Sequence, residues 1–337
     1  MKYRKEDIQM IKLNLKEKKA LKNYTFIDLF AGIGGFRLGL ESFGAKCIFS
    51  SEIDLDAIET YKMNYGECPR GDITQISEEE IPKHDILCAG FPCQPFSISG
   101  KMKGFEDTRG TLFFDIARIV KYHNPKILFL ENVKNIVKHN GGETLKVIIN
   151  TLENMGYNVY YEILNASDYG IPQARERVYI VCFKKNLGIV NFKFPIPINK
   201  KVKLKDFLEQ DRDIEEFIIK RSDIVIRKKE IYETSNKPIR IGEISKGRQG
   251  ERIYDIEGHA ITLSADGGGV GAKTGLYLIN GKIRRLTPNE CRNIMGYPNT
   301  FKIISSVPKA HKQFGNSIVI DILQYILKEV IKYIHID

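Results

Sequence analysis

The stretch TFIDLFAGIGGF, residues 25–36, joins an apolar run to a glycine-rich turn. We predict a strand over residues 25–30, a tight turn, and a helix over residues 37–43. A strand, a glycine turn and a helix in this order open a nucleotide-binding βαβ unit, because glycines let the backbone approach a ligand closely. The dinucleotide fingerprint has a third glycine where this chain has Arg37. A dinucleotide oxidoreductase, the first alternative, is therefore disfavoured.

Two acidic residues follow at the ends of the next predicted units. The run over residues 47–51 is predicted as a second strand, and it ends at Glu52. An acid about 20 residues after such a turn commonly accepts hydrogen bonds from ribose hydroxyls. Asp72 closes another βα unit and could reach an adenine amino group. Either acid alone would equally be a surface residue at a strand end, but together with the turn they predict a nucleotide-like ligand.

A further apolar run, residues 85–91, breaks into a loop rich in proline and serine that carries Cys93. Ligands of open α/β sheets bind beyond the carboxyl ends of the strands, so the loop delivers this thiol to that edge. Pro92 and Pro95 restrict φ on both sides and stiffen the loop. We predict that Cys93 is a nucleophile. The alternative is a small buried hydrophobic side chain, which is what most free cysteines are.

Glu131 lies near the end of the apolar run over residues 126–133, which is predicted as a buried strand. A carboxylate at the same sheet edge as Cys93 would share its cleft and could donate a proton there. The alternative is an acid that merely favours a following helix N-terminus.

The segment Gln173-Ala174-Arg175-Glu176-Arg177 precedes another apolar strand, predicted over residues 178–183. If the segment is extended, its two arginines point to one face and could hold an anion or a base edge. The alternative is a solvated pair of charges.

The composition points to a polyanionic partner. The chain has 52 Lys and Arg against 42 Asp and Glu, a net charge of +10, and phosphate contacts by such residues supply most non-specific affinity for nucleic acid. The six cysteines form no Cys-x-x-Cys pair, which disfavours a zinc site or a disulfide framework and predicts no metal. We expect a reducing, cytoplasmic compartment. We expect no membrane contact, because no apolar run approaches the length of about 20 residues that a span needs.

The character of the chain changes near residue 191. A proline-rich link follows, and the next residues are more charged and rich in glycine, with short β segments between the glycine clusters. We predict three parts: a catalytic, cofactor-binding domain of residues 1–200 and 305–337, a smaller β-rich domain of residues 201–285, and a connecting hinge of residues 286–304.

In chain order the motifs are Phe30-x-Gly32-x-Gly34, Glu52, Asp72, Pro92-Cys93, Glu131-Asn132-Val133, Gln173-x-Arg175-x-Arg177 and Gly315-Asn316-Ser317. This set resembles the cytosine-5 DNA methyltransferase family motif for motif, and most of all its HhaI-type bacterial modification enzymes. The resemblance implies an α/β fold, with a Rossmann-like S-adenosylmethionine-dependent methyltransferase sheet and a second, smaller β-rich target-recognition domain. It implies methyl transfer from S-adenosylmethionine to C5 of a cytosine flipped out of double-stranded DNA, within a restriction-modification system.

The same resemblance assigns roles to individual residues. Cys93 would add to C6 of the cytosine, Glu131 would contact N3 and the exocyclic amine, and Arg175 would hold the O2 side or position Cys93, with Arg177 as the fourth catalytic residue. The cofactor-binding residues would be Phe30, Gly32, Gly34, Glu52, Ile53, Asp72, Ile73, Pro92 and Asn316. Ile53 departs from the pattern, since an aromatic residue there could stack on adenine.

Five residues would contact the DNA: Ser99, Gln249, Arg252, Thr262 and Lys273. Gln249 would fill the space left by the extruded base, and Arg252 would read a guanine. The loops around them resemble the HhaI-type recognition loops, so we predict the target GCGC, methylated at its inner cytosine. Asp266 departs from this pattern, because an aromatic residue stands there in the HhaI-type enzymes and a carboxylate would face DNA phosphates.

Two further alternatives stay open from sequence. An RNA cytosine-5 methyltransferase of the same superfamily would share these motifs, although the large segment over residues 201–285 favours DNA. A catalytically silent DNA-binding module would lack Cys93 or Glu131, and both are present. We expect a monomer, because one strand is methylated at a time. A cognate restriction endonuclease could share the target without a stable complex.

Overall fold

The computed structural model describes residues 11–92, 112–198, 200–209, 214–227, 236–267, 269–304 and 306–334. Two compact units share the chain. The large-sheet unit comprises the described residues of 13–164, 177–195 and 323–337, and the small-sheet unit comprises those of 1–12, 165–176 and 196–322. Residues 165–176 therefore lie in one compact unit with the described residues of 201–285, whereas the predicted three-part division separates the two segments. The predicted domain bounds and their roles stay a prediction.

The strands and helices alternate along the first half of the chain, as the sequence predicts. The strands are β1 (Thr25–Leu29), β2 (Lys46–Ser51), β3 (Ile86–Gly90), β4 (Ile127–Val133), β5 (Tyr157–Asn165), β6 (Gln173–Ala174), β7 (Glu176–Lys184), β8 (Ile224–Ile226), β9 (Ile239–Ile244), β10 (Arg252–Asp255), β11 (Ala260–Ile261), β12 (Leu276–Ile279) and β13 (Lys282–Arg284). The α-helices are α1 (Gly35–Glu41), α2 (Leu55–Tyr65), α3 (Leu112–His123), α4 (Glu143–Asn154), α5 (Pro288–Ile294), α6 (Val307–Asn316) and α7 (Ile320–Val330).

The large-sheet unit is built on a six-stranded sheet in the order β2-β1-β3-β4-β7-β5. Strands β2, β1, β3 and β4 are parallel, and β7 runs antiparallel to β4. Strands β1 and β3 are buried along almost their whole length, because helices cover both faces of a parallel sheet. The carboxyl ends of β1, β3 and β4 therefore meet at one edge. The predicted α/β, Rossmann-like fold is confirmed.

The small-sheet unit contains a five-stranded sheet in the order β13-β12-β10-β9-β8. Its core is a compact aliphatic cluster of Ile241, Ile244, Ile253, Leu276 and Ile283. Strand β11 does not join this sheet. It pairs in parallel with β6, the strand of the glutamine–arginine segment, through the register Ala260 to Gln173. A second, smaller β-rich part is thus confirmed, and part of its chain is tied to that segment.

Helix α5 begins with a capping box. The hydroxyl of Thr287 accepts a hydrogen bond from the backbone N–H of Glu290, the Glu290 side chain bonds back to the N–H of Thr287, and Pro288 occupies the first turn. Across the described ranges, none of the helices combines the length and apolar character needed to cross a bilayer.

Candidate active site

The glycine turn after β1 has a left-handed backbone at three positions, two of which are glycines. Phe30, Gly32 and Gly34 have φ values of 56°, 54° and 82°. A Cβ placed on Gly32 would meet no atom within 4 Å, so the turn borders open space there. A ligand could approach this main chain directly, as the motif predicts.

Gly34 is enclosed rather than open. A Cβ placed on it would lie 2.4 Å from the ring of Tyr65, and the Tyr65 hydroxyl donates to the Gly34 carbonyl at 2.8 Å. Arg37 stacks over this ring at 4.5 Å and pairs with Glu67 at 2.6 Å. The arginine that replaces the third glycine therefore supports the turn through α2.

Glu52 ties the turn to the end of β2. One carboxylate oxygen accepts the N–H of Gly32 at 2.7 Å, and the other accepts the N–H groups of Ile53 and Asp54 at 2.7 and 2.8 Å. Beside it, Ile53 and Leu55 expose 68% and 80% of their surface. An acid next to exposed aliphatic side chains provides both polar and apolar contacts that a nucleoside needs.

Asp72 and Ile73 lie at the start of a short 3₁₀ turn. The Asp72 carboxylate accepts the N–H of Thr74 at 2.9 Å. Ile73 is buried in the core of the large-sheet unit, and its carbonyl accepts a hydrogen bond from Arg118. A ligand contact by Ile73 would therefore involve its main chain rather than its side chain.

Glu131 lies over the carboxyl end of β3. It is paired with Gly90 in the sheet register, and a Cβ placed on Gly90 would lie 3.7 Å from Oε2 of Glu131. Nε of Arg177, on the antiparallel neighbour β7, lies 3.2 Å from Oε1. Both side chains are mostly buried. A carboxylate and a guanidinium thus contact each other beside Gly90, which precedes Cys93 by three positions in the sequence.

Asn132 holds the beginning of the Cys93 loop, a role that the sequence did not single out. Its side-chain N–H donates to the carbonyl of Phe91 at 2.8 Å, and its side-chain oxygen accepts the N–H of Val133 at 2.8 Å. The sequence signal that could have revealed this role is an asparagine directly after Glu131. Pro92 is exposed beside Phe91. The predicted nucleophile Cys93 and the predicted DNA contact Ser99 lie outside the described residues.

Cys88, the other cysteine of this stretch, is fully buried in β3. Burial raises the pKa of its thiol well above the ordinary value, with the nearby Asp28 and Cys47 adding to the effect. Cys88 therefore remains a neutral thiol near pH 7.

Arg175 and Arg177 have different partners. Strand β6 ends at Ala174 and β7 begins at Glu176, so the segment is interrupted at Arg175 instead of being continuously extended. The guanidinium of Arg175 donates to the carbonyls of Leu263, Gly315 and Ser317 at 2.9, 3.0 and 2.6 Å, all within the small-sheet unit. Of the two arginines, it is Arg177 that meets Glu131. The predicted catalytic role of Arg175 stays a prediction.

The remaining predicted ligand contacts lie in the small-sheet unit. Asn316 is exposed at the end of α6, and Gln249 is exposed in a short turn. Arg252 bonds to the carbonyl of Gly247 at 3.2 Å, and the ammonium of Lys273 bonds to that of Pro308 at 3.1 Å. The hydroxyl of Thr262 donates to the carbonyl of Ala174, which leaves its oxygen able to accept.

The two glycine-rich loops of this unit pack on each other. The N–H of Gly271 donates to the carbonyl of Gly250 at 2.8 Å, and a Cβ on Gly269 would lie 3.4 Å from the same carbonyl. Gln249, Arg252 and exposed Asp266 therefore belong to one loop cluster. Within the ranges that the structure describes, no three His, Cys, Asp or Glu side chains are placed to hold a metal ion.

The family model described as C-5 cytosine-specific DNA methylase matches residues 24–332. That match spans most of the chain and includes the glycine turn, Glu131 and the small sheet. The chain belongs to this family and is a DNA (cytosine-5-)-methyltransferase. The family uses S-adenosylmethionine as its methyl donor.

Two relatives show the same relationship at the level of whole proteins. The type II methyltransferase M.HhaI of Haemophilus parahaemolyticus is 57% identical over 314 residues, which cover 93% of this chain and 96% of that protein. The type II methyltransferase M.HpaII of Haemophilus parainfluenzae is 43% identical, with 95% and 91% covered. Among solved structures, the S. pombe Dnmt2 methyltransferase shares the fold, with a TM-score of 0.69, 19% identity, and 91% and 98% of the two chains covered.

Proposed function

We propose that this enzyme methylates C5 of a cytosine flipped out of double-stranded DNA, through a covalent adduct with Cys93, at the inner cytosine of GCGC. The observation that carries the proposal is the position of Glu131. Its carboxylate lies over Gly90 and contacts Arg177, at the head of the loop that leads to Cys93. An acid, a guanidinium and a loop-borne thiol are the groups that addition to a pyrimidine requires.

The chemistry follows from the reactivity of cytosine. C5 is a weak nucleophile, so the Cys93 thiolate first adds to C6 and converts C5 into an enamine carbon. Glu131 contacts N3 and the exocyclic amine and stabilises the charge that develops there, while Arg177 fixes the carboxylate. C5 then takes the methyl group and gives its proton to a solvent water. The electrons of the C5–H bond form the C5=C6 double bond as the C6–S bond breaks and restores the thiolate. A free thiol is only a few per cent ionised near pH 7, so cationic neighbours would accelerate the addition.

The residues of the β1 edge fit S-adenosylmethionine. The open backbone at Gly32, the Glu52 carboxylate and the exposed side chains of Ile53 and Leu55 suit the nucleoside. Asp72 would bind the adenine amino group. When bound, the cofactor supplies a methyl group on a sulfonium centre. The role of the protein there is to orient it, and the Gly32–Glu52 hydrogen bond holds the turn in place for that purpose.

The small-sheet unit supplies the proposed DNA contacts. Its paired glycine-rich loops expose Gln249 and present Arg252, and glycine lets the loop backbones approach a groove closely. Gln249 would occupy the vacated space in the duplex, and Arg252 would donate to a guanine. A bidentate contact of this kind contributes about 1–3 kcal/mol of discrimination. The GCGC assignment depends on the resemblance of this cluster to HhaI-type loops and on the 57% identity to M.HhaI.

The biological setting is proposed on the same grounds. We infer that the enzyme is the modification half of a restriction-modification system, because its relatives are named type II methyltransferases. It would act as a monomer, one strand at a time, in the bacterial cytoplasm, where Cys93 stays reduced. A cognate endonuclease would share the target without a stable complex.

The test is transfer of a labelled methyl group from S-adenosylmethionine to short duplexes. We expect label on a GCGC duplex, none on a scrambled duplex, and none when the inner cytosines of both strands are already 5-methylated. Methylation of the outer cytosine should leave transfer intact. A Cys93→Ser variant should bind the duplex but transfer nothing. Label on the scrambled duplex would refute the target, and label on a matching transcript alone would refute the DNA substrate.

A separate arm tests the covalent step. A duplex with 5-fluorocytosine at the inner position retains fluorine where the proton would leave, so the adduct should persist through denaturation. Wild-type enzyme should yield this adduct and Cys93→Ser should not. Transfer of label without any trapped adduct would overturn the covalent mechanism while leaving the target assignment in place.

A further inference from the structure

Arg175 is a buried cation that donates hydrogen bonds to three backbone carbonyls. It is 3% exposed, and its two terminal nitrogens donate to Leu263, Gly315 and Ser317 at 2.9, 3.0 and 2.6 Å. The last two carbonyls flank Asn316, which is itself exposed. One guanidinium therefore holds the chain on both sides of Asn316 and also holds the strand end after β11.

The same two segments approach each other independently of Arg175. A Cβ placed on Gly315 would lie 2.3 Å from the carbonyl carbon of Ser264 and 2.4 Å from the backbone nitrogen of Ala265. Gly315 has no positive φ, so close approach rather than backbone conformation requires glycine here. The Ser264–Ala265 peptide therefore lies directly against the residue that precedes Asn316.

The glutamine of the same motif braces the first segment. Oε1 of Gln173 accepts the N–H of Leu263 at 3.0 Å, and the hydroxyl of Thr262 donates to the carbonyl of Ala174. On the other side, the hydroxyl of Tyr297 hydrogen-bonds that of Ser317. Residues 262–265 and 315–317 are thus held by one connected set of polar contacts, which we call the Arg175 hub.

We propose that Arg175 is a positioning residue that couples DNA binding at residues 262–265 to cofactor binding at Asn316. The inference rests on the proposed function, in which Thr262 contacts DNA and Asn316 contacts the cofactor. A displacement of the first segment by DNA cannot leave the second unchanged, since they share a guanidinium and a backbone contact. Coupling between two ligands is reciprocal, and it typically amounts to about 5–150-fold in affinity.

The test measures the dissociation constant of S-adenosylhomocysteine, the demethylated product, with and without a saturating GCGC duplex. In wild-type enzyme we expect the duplex to tighten binding by a factor within about 5–150. In Arg175→Lys the charge stays but the planar fork that reaches several carbonyls is lost. That variant should show a ratio near one, whatever its affinity for each ligand alone.

Arg292→Lys is the matched control, because Arg292 also donates to a backbone carbonyl of the small-sheet unit, that of Asn299 at 3.2 Å. It lies outside the Arg175 hub and should keep the wild-type ratio. Thermal melting confirms that both variants are folded. A folded Arg175→Lys enzyme that keeps the wild-type ratio would overturn the inference.

If Arg175→Lys fails to fold, hydrogen exchange on the wild-type enzyme decides. DNA added without cofactor should slow amide exchange at residues 315–317, and unchanged exchange there would overturn the coupling. Failure of the proposed function looks different, since wild-type enzyme would then bind the cofactor product but no duplex.

Discussion

Each compact unit contains arginine–glutamate pairs, and two of them, Arg177–Glu131 and Arg284–Glu290, differ in contact distance, in the number of contacts and in exposure. In the large-sheet unit, Nε of Arg177 lies 3.2 Å from one oxygen of Glu131, and the side chains expose 15% and 13% of their surface. In the small-sheet unit, each terminal nitrogen of Arg284 donates to a different oxygen of Glu290 at 2.7 Å. These side chains are 1% and 0% exposed.

The carboxylate of the second pair also accepts hydrogen bonds from backbone donors. Glu290 accepts the N–H of Thr287 at 2.8 Å and that of Glu209 at 3.1 Å, so each carboxylate oxygen has two partners. Such a pair fixes α5 to β13 and cannot exchange a partner without leaving a buried charge. The Glu131 pair lies at a strand end with a longer contact and residual exposure. The comparison teaches that a pair with residual exposure is accessible to a ligand, whereas a pair closed off from solvent serves the fold.

The sharpest way to break this comparison is Glu131→Gln. If Glu131 acts on the cytosine, the rate of methyl transfer should fall about 10²–10⁴-fold, as expected for the loss of a general acid. The melting temperature should change little. Glu162→Gln, an exposed glutamate on β5, is the control and should keep full activity. Equal rates for both variants would remove Glu131 from the mechanism.

Glu290→Gln should show the opposite pattern. Removing one partner of a buried pair leaves the other charge uncompensated and costs about 3–5 kcal/mol in the free energy of unfolding. Glu143→Gln breaks an exposed contact with Lys146 and should cost at most about 1 kcal/mol. Denaturant titration measures both. A Glu290→Gln protein as stable as the control would show that the pair is not structural.

Acid should weaken both units through buried histidines, and His84 and His311 are the two with the largest shifts in pKa. Burial lowers the pKa of His84 in the large-sheet unit and of His311 in the small-sheet unit, each to about 4. In the unfolded chain the pKa is about 6.5. As the pH falls from 6.5 toward 4, the unfolded state binds protons that the folded state excludes, so stability falls by up to about 1.4 kcal/mol per pH unit for each histidine.

Variants separate these two contributions. His84→Gln and His311→Gln should each flatten the dependence of unfolding free energy on pH between 7 and 5. His139→Gln, at a half-buried histidine bonded to Thr144, serves as the control. A pH dependence that all three variants share with wild type would attribute acid sensitivity to other groups.

The smallest expected effect concerns Asp266, an exposed acid in the loop cluster of the small-sheet unit. Two like charges near 4 Å repel by about 1 kcal/mol in water, so Asp266→Asn should tighten duplex binding a few-fold at low salt. The gain should shrink as salt rises. Glu59→Gln on α2 changes the net charge equally and should leave affinity unchanged. Equal gains from both variants would indicate a general charge effect.

The sequence alone determined the α/β class, the glycine turn after β1, Glu52 at the end of β2 and Glu131 near the end of β4. It could do so because turns, strand periodicity and strand-end chemistry are local, and each is visible within a few residues. It did not show that β11 pairs with β6, that Asn132 holds the loop before Cys93, or that the segment breaks at Arg175.

Only the tertiary structure decided which charges work together. Arg175 and Gly315 are 140 residues apart in the chain, and Gln173 and Leu263 are 90 apart. No local pattern distinguishes Arg175, which donates to backbone carbonyls, from Arg177, which contacts the carboxylate of Glu131. That distinction depends on which distant segments pack against each guanidinium, because the low dielectric of the interior makes every buried charge take the polar partners that the fold brings within reach.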